Sequence, residues 1–169
     1  MPLTVTMGHA SLTGPRDRNE DYVGMIAAKG TELSAKGVLL AVADGVSGSA
    51  GGREAAEYTV RGLLADYYAT PDTWSVPLAL DRVLNANNRW LIAQGASHSE
   101  LTGMATTLSA LVLRGARYYV AHIGDSRIYR FRDGKLARLT TDHVWDRPDR
   151  RHVLTRAIGL DAHLAIDYA

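Results

Sequence analysis

VLLAVADGVSGSAGGREAAEYTVRGLLADYY, Val38 to Tyr68, changes structural period part-way along, and that change decides the fold class. Val38 to Ala43 is an unbroken apolar run of strand length, suited to a fully buried strand, and it stops at Asp44-Gly45. A glycine-rich loop runs from Gly45 to Gly52. Beyond it, Arg53 to Tyr68 is rich in helix formers and places Ala56, Val60, Leu63, Leu64 and Tyr67 on one stripe, which predicts an amphipathic helix. A second helix is expected from Val76 to Gln94, with Leu80, Val83, Leu84, Leu91 and Ile92 inward, Pro77 near its start and Gly95 near its stop. Upstream, Val5, Met7 and His9 alternate with polar residues toward Leu12, and Asp21 to Ala28 is apolar-rich; both read as strands, with Gly30 to Gly37 a polar hairpin connection before Val38. Downstream, Ala105 to Leu113, Arg117 to Ile123 and Arg127 to Phe131 read as a meander turned at Arg114-Gly115 and Asp133-Gly134. Leu164 to Tyr168 reads as a last strand cut off without a partner. Strands, a helix pair and more strands indicate an α+β layered domain, not a doubly wound parallel sheet.

At 169 residues and 46% hydrophobic content, the chain suits one domain with a sizeable core, residues 1–169, and leaves no room for a second. A formal net charge of +1 gives no reason to expect a nucleic acid or an anionic membrane as partner. Cysteine is absent, which removes disulfides, thiolate metal sites and thiol nucleophiles. No apolar run approaches the roughly 20 residues of a membrane-spanning helix, so the expected location is cytoplasmic.

Three stretches could carry chemistry. GPRDRNED, Gly14 to Asp21, crowds two arginines and three acids into a turn, which by itself reads equally as a solvated charged loop. The strand end at Asp44 followed by its glycine loop is the kind of place where sites are built, although a plain strand-to-helix turn has the same look. A phosphate-cradling P-loop needs Gly-Lys-Ser/Thr, whereas this loop continues Gly52-Arg53-Glu54. Gly45-Val46-Ser47-Gly48 likewise breaks the spacing of a nucleophile elbow. HIGDSRIYRF, His122 to Phe131, sets Asp125 in a tight turn between two strands.

Together and in this order, these stretches resemble the metal-dependent, type 2C (PPM) family of protein serine/threonine phosphatases. GPRDRNED is similar to the family's first motif and DGVSGSAGGREAA to its Asp-Gly loop and helix. GMATTLSALVL (103–113) looks like its Thr-Thr strand, HIGDSRIYRF and LTTDH (139–143) like its Gly-Asp-Ser-Arg block and the element after it, and VLTRAIG (153–159) like the next block. The resemblance implies two antiparallel sheets packed face to face and flanked by helix pairs, a four-layer sandwich, here without its C-terminal elements and so apparently truncated.

It also implies Mn²⁺ or Mg²⁺, two ions in the complete site, activating a water for attack on phosphoserine or phosphothreonine of a protein substrate. By match, Asp44 is the bridging carboxylate and, with Arg16, a catalytic residue. The Gly45 carbonyl, Glu20, Asp21 and Asp125 complete the metal-side set, and Arg16 grips the substrate phosphate. Two departures qualify this. Val46 stands where some relatives have a histidine able to protonate the leaving group, and the later Asp-Gly and Asp-Asn blocks are missing, with Asp161 and Asp167 in the wrong local context to replace them. The Thr141 to Arg151 span, a longer flap in relatives, is short. At most one ion should then bind well, because paired cations need more carboxylates than these. The expected function is impaired serine/threonine phosphatase activity in signalling. The alternative is a non-catalytic module of the same fold that binds a phosphoprotein or a kinase. Purely structural acidic turns are the third reading. Uncovered sheet edges would favour self-association.

Overall fold

The computed structural model describes residues 3–47, 51–147, 149–150 and 153–169, so the middle of the glycine-rich loop and parts of the 141–152 span lie outside it. Its elements run β1 (Asp21–Ala27), α1 (Gly30–Ala35), β2 (Val38–Asp44), α2 (Gly52–Ala69), α3 (Val76–Ser97), a 3₁₀ turn (Ser99–Leu101), β3 (Leu108–Arg114), β4 (Arg117–Ile123), β5 (Tyr129–Arg132), β6 (Lys135–Arg138) and β7 (Asp167–Tyr168). The result is α+β with two antiparallel sheets: a five-stranded one ordered β1-β2-β3-β4-β7 and a two-stranded one, β5-β6.

The helix pair covers one face of the larger sheet. Strand alternation sends Leu39, Ala41 and Ala43 of β2, Leu108, Ala110 and Val112 of β3, and Ala121 and Ile123 of β4 into a core shared with Ala56, Val60, Leu63 and Tyr67 of α2 and Leu80, Leu84 and Leu91 of α3. Both expected helix stripes are buried as the spacing demands. α2 lies so close to β1 that a Cβ on Gly24 would stand 2.5 Å from Leu64 Cδ1. β2 is not buried on both faces, however. Val42 remains 44% exposed and Leu40 partly so, on the face turned away from the core.

Several local expectations need correction. Residues 3–8 alternate in exposure and residues 9–13 are all exposed, but no strand forms, because this backbone makes no ladder bonds to the sheet. Gly30 to Gly37 is not a simple hairpin turn: a six-residue helix, α1, fills it, and Gly37 closes it with φ +81° against the Leu113 carbonyl. α3 runs through Gly95 to Ser97. β4 and β5 do not pair, since the chain crosses from one sheet to the other between them, so the downstream strands are not one meander. The last strand does have a partner: β7 lies against β4 with Ala121 opposite Tyr168, and Val120 exchanges backbone bonds with Ala169.

Lys36 follows α1 and is only 4% exposed, yet it is satisfied. Its Nζ donates to the Thr70 carbonyl (2.6 Å), Thr70 Oγ1 (2.8 Å) and the Pro71 carbonyl (3.0 Å), capping the C-terminal end of α2 with a cation. Lys36→Met keeps the stem but orphans those acceptors. It should lower unfolding free energy by about 2 kcal/mol, measured by urea titration with the slope unchanged.

Candidate active site

Antiparallel register builds the site before any side chain is considered. β1 pairs with β2 so that Asp21 lies directly opposite Asp44, and directly opposed residues project from the same face. By alternation from Leu40 and Val42, that face is the one turned away from the helices. The strand end is then locked. Thr107 N–H donates to the Asp44 carbonyl (2.9 Å), Thr106 Oγ1 donates to the same oxygen (2.9 Å), and Asp44 N–H donates to Thr107 Oγ1 (3.0 Å). Gly45 N–H reaches the Glu20 carbonyl at 3.1 Å, tying the first acidic turn to the Asp-Gly turn. Nothing larger than glycine fits at Gly45, where a Cβ would sit 2.3 Å from the backbone of Gly52.

All six residues expected at the site come together. Arg16, Asp44, Gly45 and Asp125 line one cleft of about 790 Å³, with an apolar wall that includes Val46, Ala105, Leu154 and Leu160. Arg16, Glu20, Asp21 and Asp44 line an adjoining acidic depression that also includes Ser47. Arg16 Nη1 donates to Ser47 Oγ (3.2 Å), and that hydroxyl is 3.5 Å from Glu20 Oε2. The second arginine of the turn, Arg18, is instead paired with Glu54 of α2.

Electrostatics reports the same convergence. The Asp44 carboxyl is pushed up to about 6, first by lost hydration low in the cleft although the residue as a whole remains solvent-exposed, and then by Asp21, through repulsion and a shared hydrogen bond. Asp125 and Glu20 push in the same direction. Four carboxylates that repel across a solvent-open cleft form an all-oxygen donor set of the kind a hard divalent cation neutralises. Among the described residues, no three acidic or histidine groups close in on a common point as a ready-made cage.

Reading the sequence missed a second layer of residues. His122 is buried, accepts from Ser109 Oγ at Nδ1 (3.0 Å) and faces the Thr141 carbonyl at Nε2 (3.0 Å). Burial, then the neighbouring His143, holds it below the usual imidazole range. Ser109 Oγ lies 2.9 Å from Ser126 Oγ, which also meets Thr107 Oγ1 at 3.4 Å, so a line of hydroxyls runs from His122 to the strand end at Asp44. Asp167, set aside for its sequence context, bonds His143 Nε2 at 2.9 Å, and chiefly for that reason its carboxyl stays below the ordinary carboxylate range. Asp161 contributes only a backbone carbonyl, to Asn88. The paired threonines and the Asp-His dipeptide were the visible signals, but their spacing does not reveal which backbone groups they hold.

Residues 17–155 match the profile of the family Protein phosphatase 2C. The chain belongs to that family. It is 39% identical over 107 residues to the serine/threonine protein phosphatase PstP of Mycobacterium tuberculosis, covering 63% of this chain and 21% of PstP. It is 28% identical over 177 residues to the serine/threonine phosphatase stp of Listeria monocytogenes, covering 90% of this chain and 66% of that one. The chain thus spans about a fifth of the length of one relative and about two thirds of the other. Among solved structures, serine/threonine phosphatase Stp1 from Staphylococcus aureus shares the fold with a TM-score of 0.83 at 22% identity, over 95% of this chain and 68% of that one. The PPM Ser-Thr phosphatase MsPP from Mycobacterium smegmatis, solved in complex with cacodylate, aligns with a TM-score of 0.73 at 29% identity over 95% and 69%. No helix among the described residues is long and apolar enough to cross a membrane.

Proposed function

We propose that this chain forms the phosphate-binding and first metal-binding half of a protein phosphatase 2C site, acting on phosphoserine or phosphothreonine of proteins in signalling. The carrying observation is that Arg16 and Asp44 line both an open cleft shared with Asp125 and the adjoining depression shared with Glu20 and Asp21, and that all three acids act on the Asp44 carboxyl. Asp44 and Asp21 are the direct ligands favoured by their opposed register, the Gly45 carbonyl and Glu20 stand beside them, and Asp125 serves an outlying, weaker position. When bound, Mn²⁺ or Mg²⁺ lowers the pKa of a water and offsets the charge of the phosphoryl group. These carboxylates suit one such ion better than two.

The chain's own residues do the rest. Arg16 offers a planar, permanently charged fork to two phosphate oxygens, held at the rim by Ser47 and turned toward the acids. A phosphate ester gripped there would lie across the strand end, its reacting face toward Asp44 and its protein side along the apolar wall. Val46 cannot protonate the leaving alkoxide, so that proton comes from water or another residue. Arg16→Lys keeps the charge and loses the fork. It should raise KM for a phosphopeptide roughly tenfold with kcat changed far less, and an unchanged KM would remove Arg16 from phosphate binding.

The deciding assay is Mn²⁺-dependent release of phosphate from p-nitrophenyl phosphate and from a phosphothreonine peptide, with EDTA as control, using this chain and a version extended through any downstream coding sequence. Turnover in either form supports the hydrolase. The alternative reading is a non-catalytic module of the same fold that binds a phosphoprotein or kinase through Arg16 and the acidic turn. Metal-independent phosphopeptide binding without turnover in both forms would select it.

A further inference from the structure

The connection between β4 and β5 is gripped by groups to which the reading above assigns no role. Gly124 is held twice by His143: its N–H donates to the ring Nδ1 at 3.1 Å, and its carbonyl accepts the His143 backbone N–H at 2.8 Å. Because Nδ1 accepts, the ring proton must sit on Nε2, which faces Asp167 Oδ2 at 2.9 Å. Arg156 Nη1 donates to the other Asp167 oxygen at 2.9 Å. Asp167 belongs to β7 and is itself placed by pairing opposite His122 of β4.

The turn is closed from the other side as well. Gly124 has φ +106°, and a Cβ there would come within 2.5 Å of the Thr107 side chain. Ser126, beyond Asp125, is bonded to Ser109 and Thr107. Between these two pinned neighbours stands Asp125, exposed, on the same cleft as Asp44 and Arg16. Its backbone is therefore fixed from both sides while its carboxylate stays open to the cleft.

We propose that His143 is a positioning residue for Asp125: through the backbone of Gly124 it sets where that carboxylate stands in the cleft, and Asp167, backed by Arg156, selects the ring tautomer that makes the grip possible. The part that concerns a cation rests on the hydrolase reading. The clamp itself can be measured without turnover or metal. It makes the geometry of one edge of the cleft depend on β7, a strand remote in sequence from the Gly-Asp turn.

Asparagine and glutamine separate the two ring nitrogens. His143→Asn keeps an acceptor where Nδ1 stands, whereas His143→Gln keeps a donor directed at Asp167 but no acceptor for Gly124. Residue-resolved amide exchange on the full chain should show the Gly124 amide exchanging at least about tenfold faster in His143→Gln and close to wild type in His143→Asn, with β3 amides unchanged in both. Asp167→Ala should also speed Gly124 exchange, and Asp167→Asn, which still accepts from Nε2, should restore it. In Mn²⁺ titrations followed by the electron paramagnetic resonance of the free ion, His143→Gln should weaken binding about tenfold, as outer-shell partners commonly do, and add nothing further in an Asp125→Asn background.

Equal Gly124 exchange in the two His143 variants would make the ring a packing element and overturn the proposal, as would additive losses with Asp125→Asn. Wild-type protection in Asp167→Ala would overturn the part assigned to β7. Failure of the hydrolase reading would look different: the clamp would behave as described while the wild-type chain bound no Mn²⁺.

Discussion

Asp44→Asn should remove about a thousandfold or more of any Mn²⁺-dependent hydrolysis, the loss expected when several kcal/mol of charge stabilisation is withdrawn from the transition state. The same substitution should make the fold more stable in chelator at neutral pH. The Asp44 carboxyl, raised to about 6 by lost hydration and by Asp21, Asp125 and Glu20, binds its proton more tightly in the folded chain than in the unfolded one. For an acid shifted in that direction, the folded state holds the extra proton between the ordinary carboxylate range and about pH 6, so stability declines as pH rises through that window. Above it, the ionised Asp44 opposes folding, and neutral Asn does not. Thermal melts in EDTA from pH 4 to 8 should show a falling limb in the wild type that is reduced in Asp44→Asn. Added Mn²⁺ at pH 7.5 should raise the wild-type melting temperature and leave the variant unmoved. A variant that responds to Mn²⁺ as the wild type does would take Asp44 out of the cation site.

Gly45→Ala should be among the most damaging single-methyl additions at the described glycines. The new Cβ would be 2.3 Å from the carbonyl carbon and oxygen of Gly52, and these are backbone atoms at the start of α2, not the tip of a flexible side chain. Relief requires moving the Asp-Gly turn away from the helix, which strains the Gly45 bond to the Glu20 carbonyl and separates the two acidic turns. The expected cost is about 3 kcal/mol in urea unfolding, with a parallel loss of Mn²⁺ affinity. Gly103→Ala is the control: its Cβ would meet nothing within 4 Å, although its φ of +72° carries ordinary strain. If Gly45→Ala unfolded at the same urea concentration as Gly103→Ala, the close approach of the two loops would not hold in solution.

Much of the fold was legible because it follows from short-range chemistry. The Val38 to Ala43 run, the stripes at Ala56, Val60, Leu63 and Tyr67 and at Leu80, Leu84 and Leu91, and the two-residue turns at Gly115 and Asp133-Gly134 each state their own structure locally. The candidate site residues were singled out for another reason: the motifs that hold them resemble those of a known family in their order along the chain. Residues 3–13 misled because alternation reports which side faces water and not whether a neighbouring strand supplies hydrogen bonds.

By itself, the order of residues determined the α+β class and the helix pair, since periodicity is a property of neighbours in sequence, and its resemblance to a known family singled out the six candidate residues that line the cleft and its adjoining depression. Only the tertiary structure decided that Asp21 stands across from Asp44, that β4 and β5 belong to different sheets, and that His143 and Asp167 reach the Gly124 turn. Those facts arise from strand register and from hydrogen bonds between segments far apart in the chain. Such pairings are selected by the free energy of the whole packed domain, and no local run of side chains encodes them.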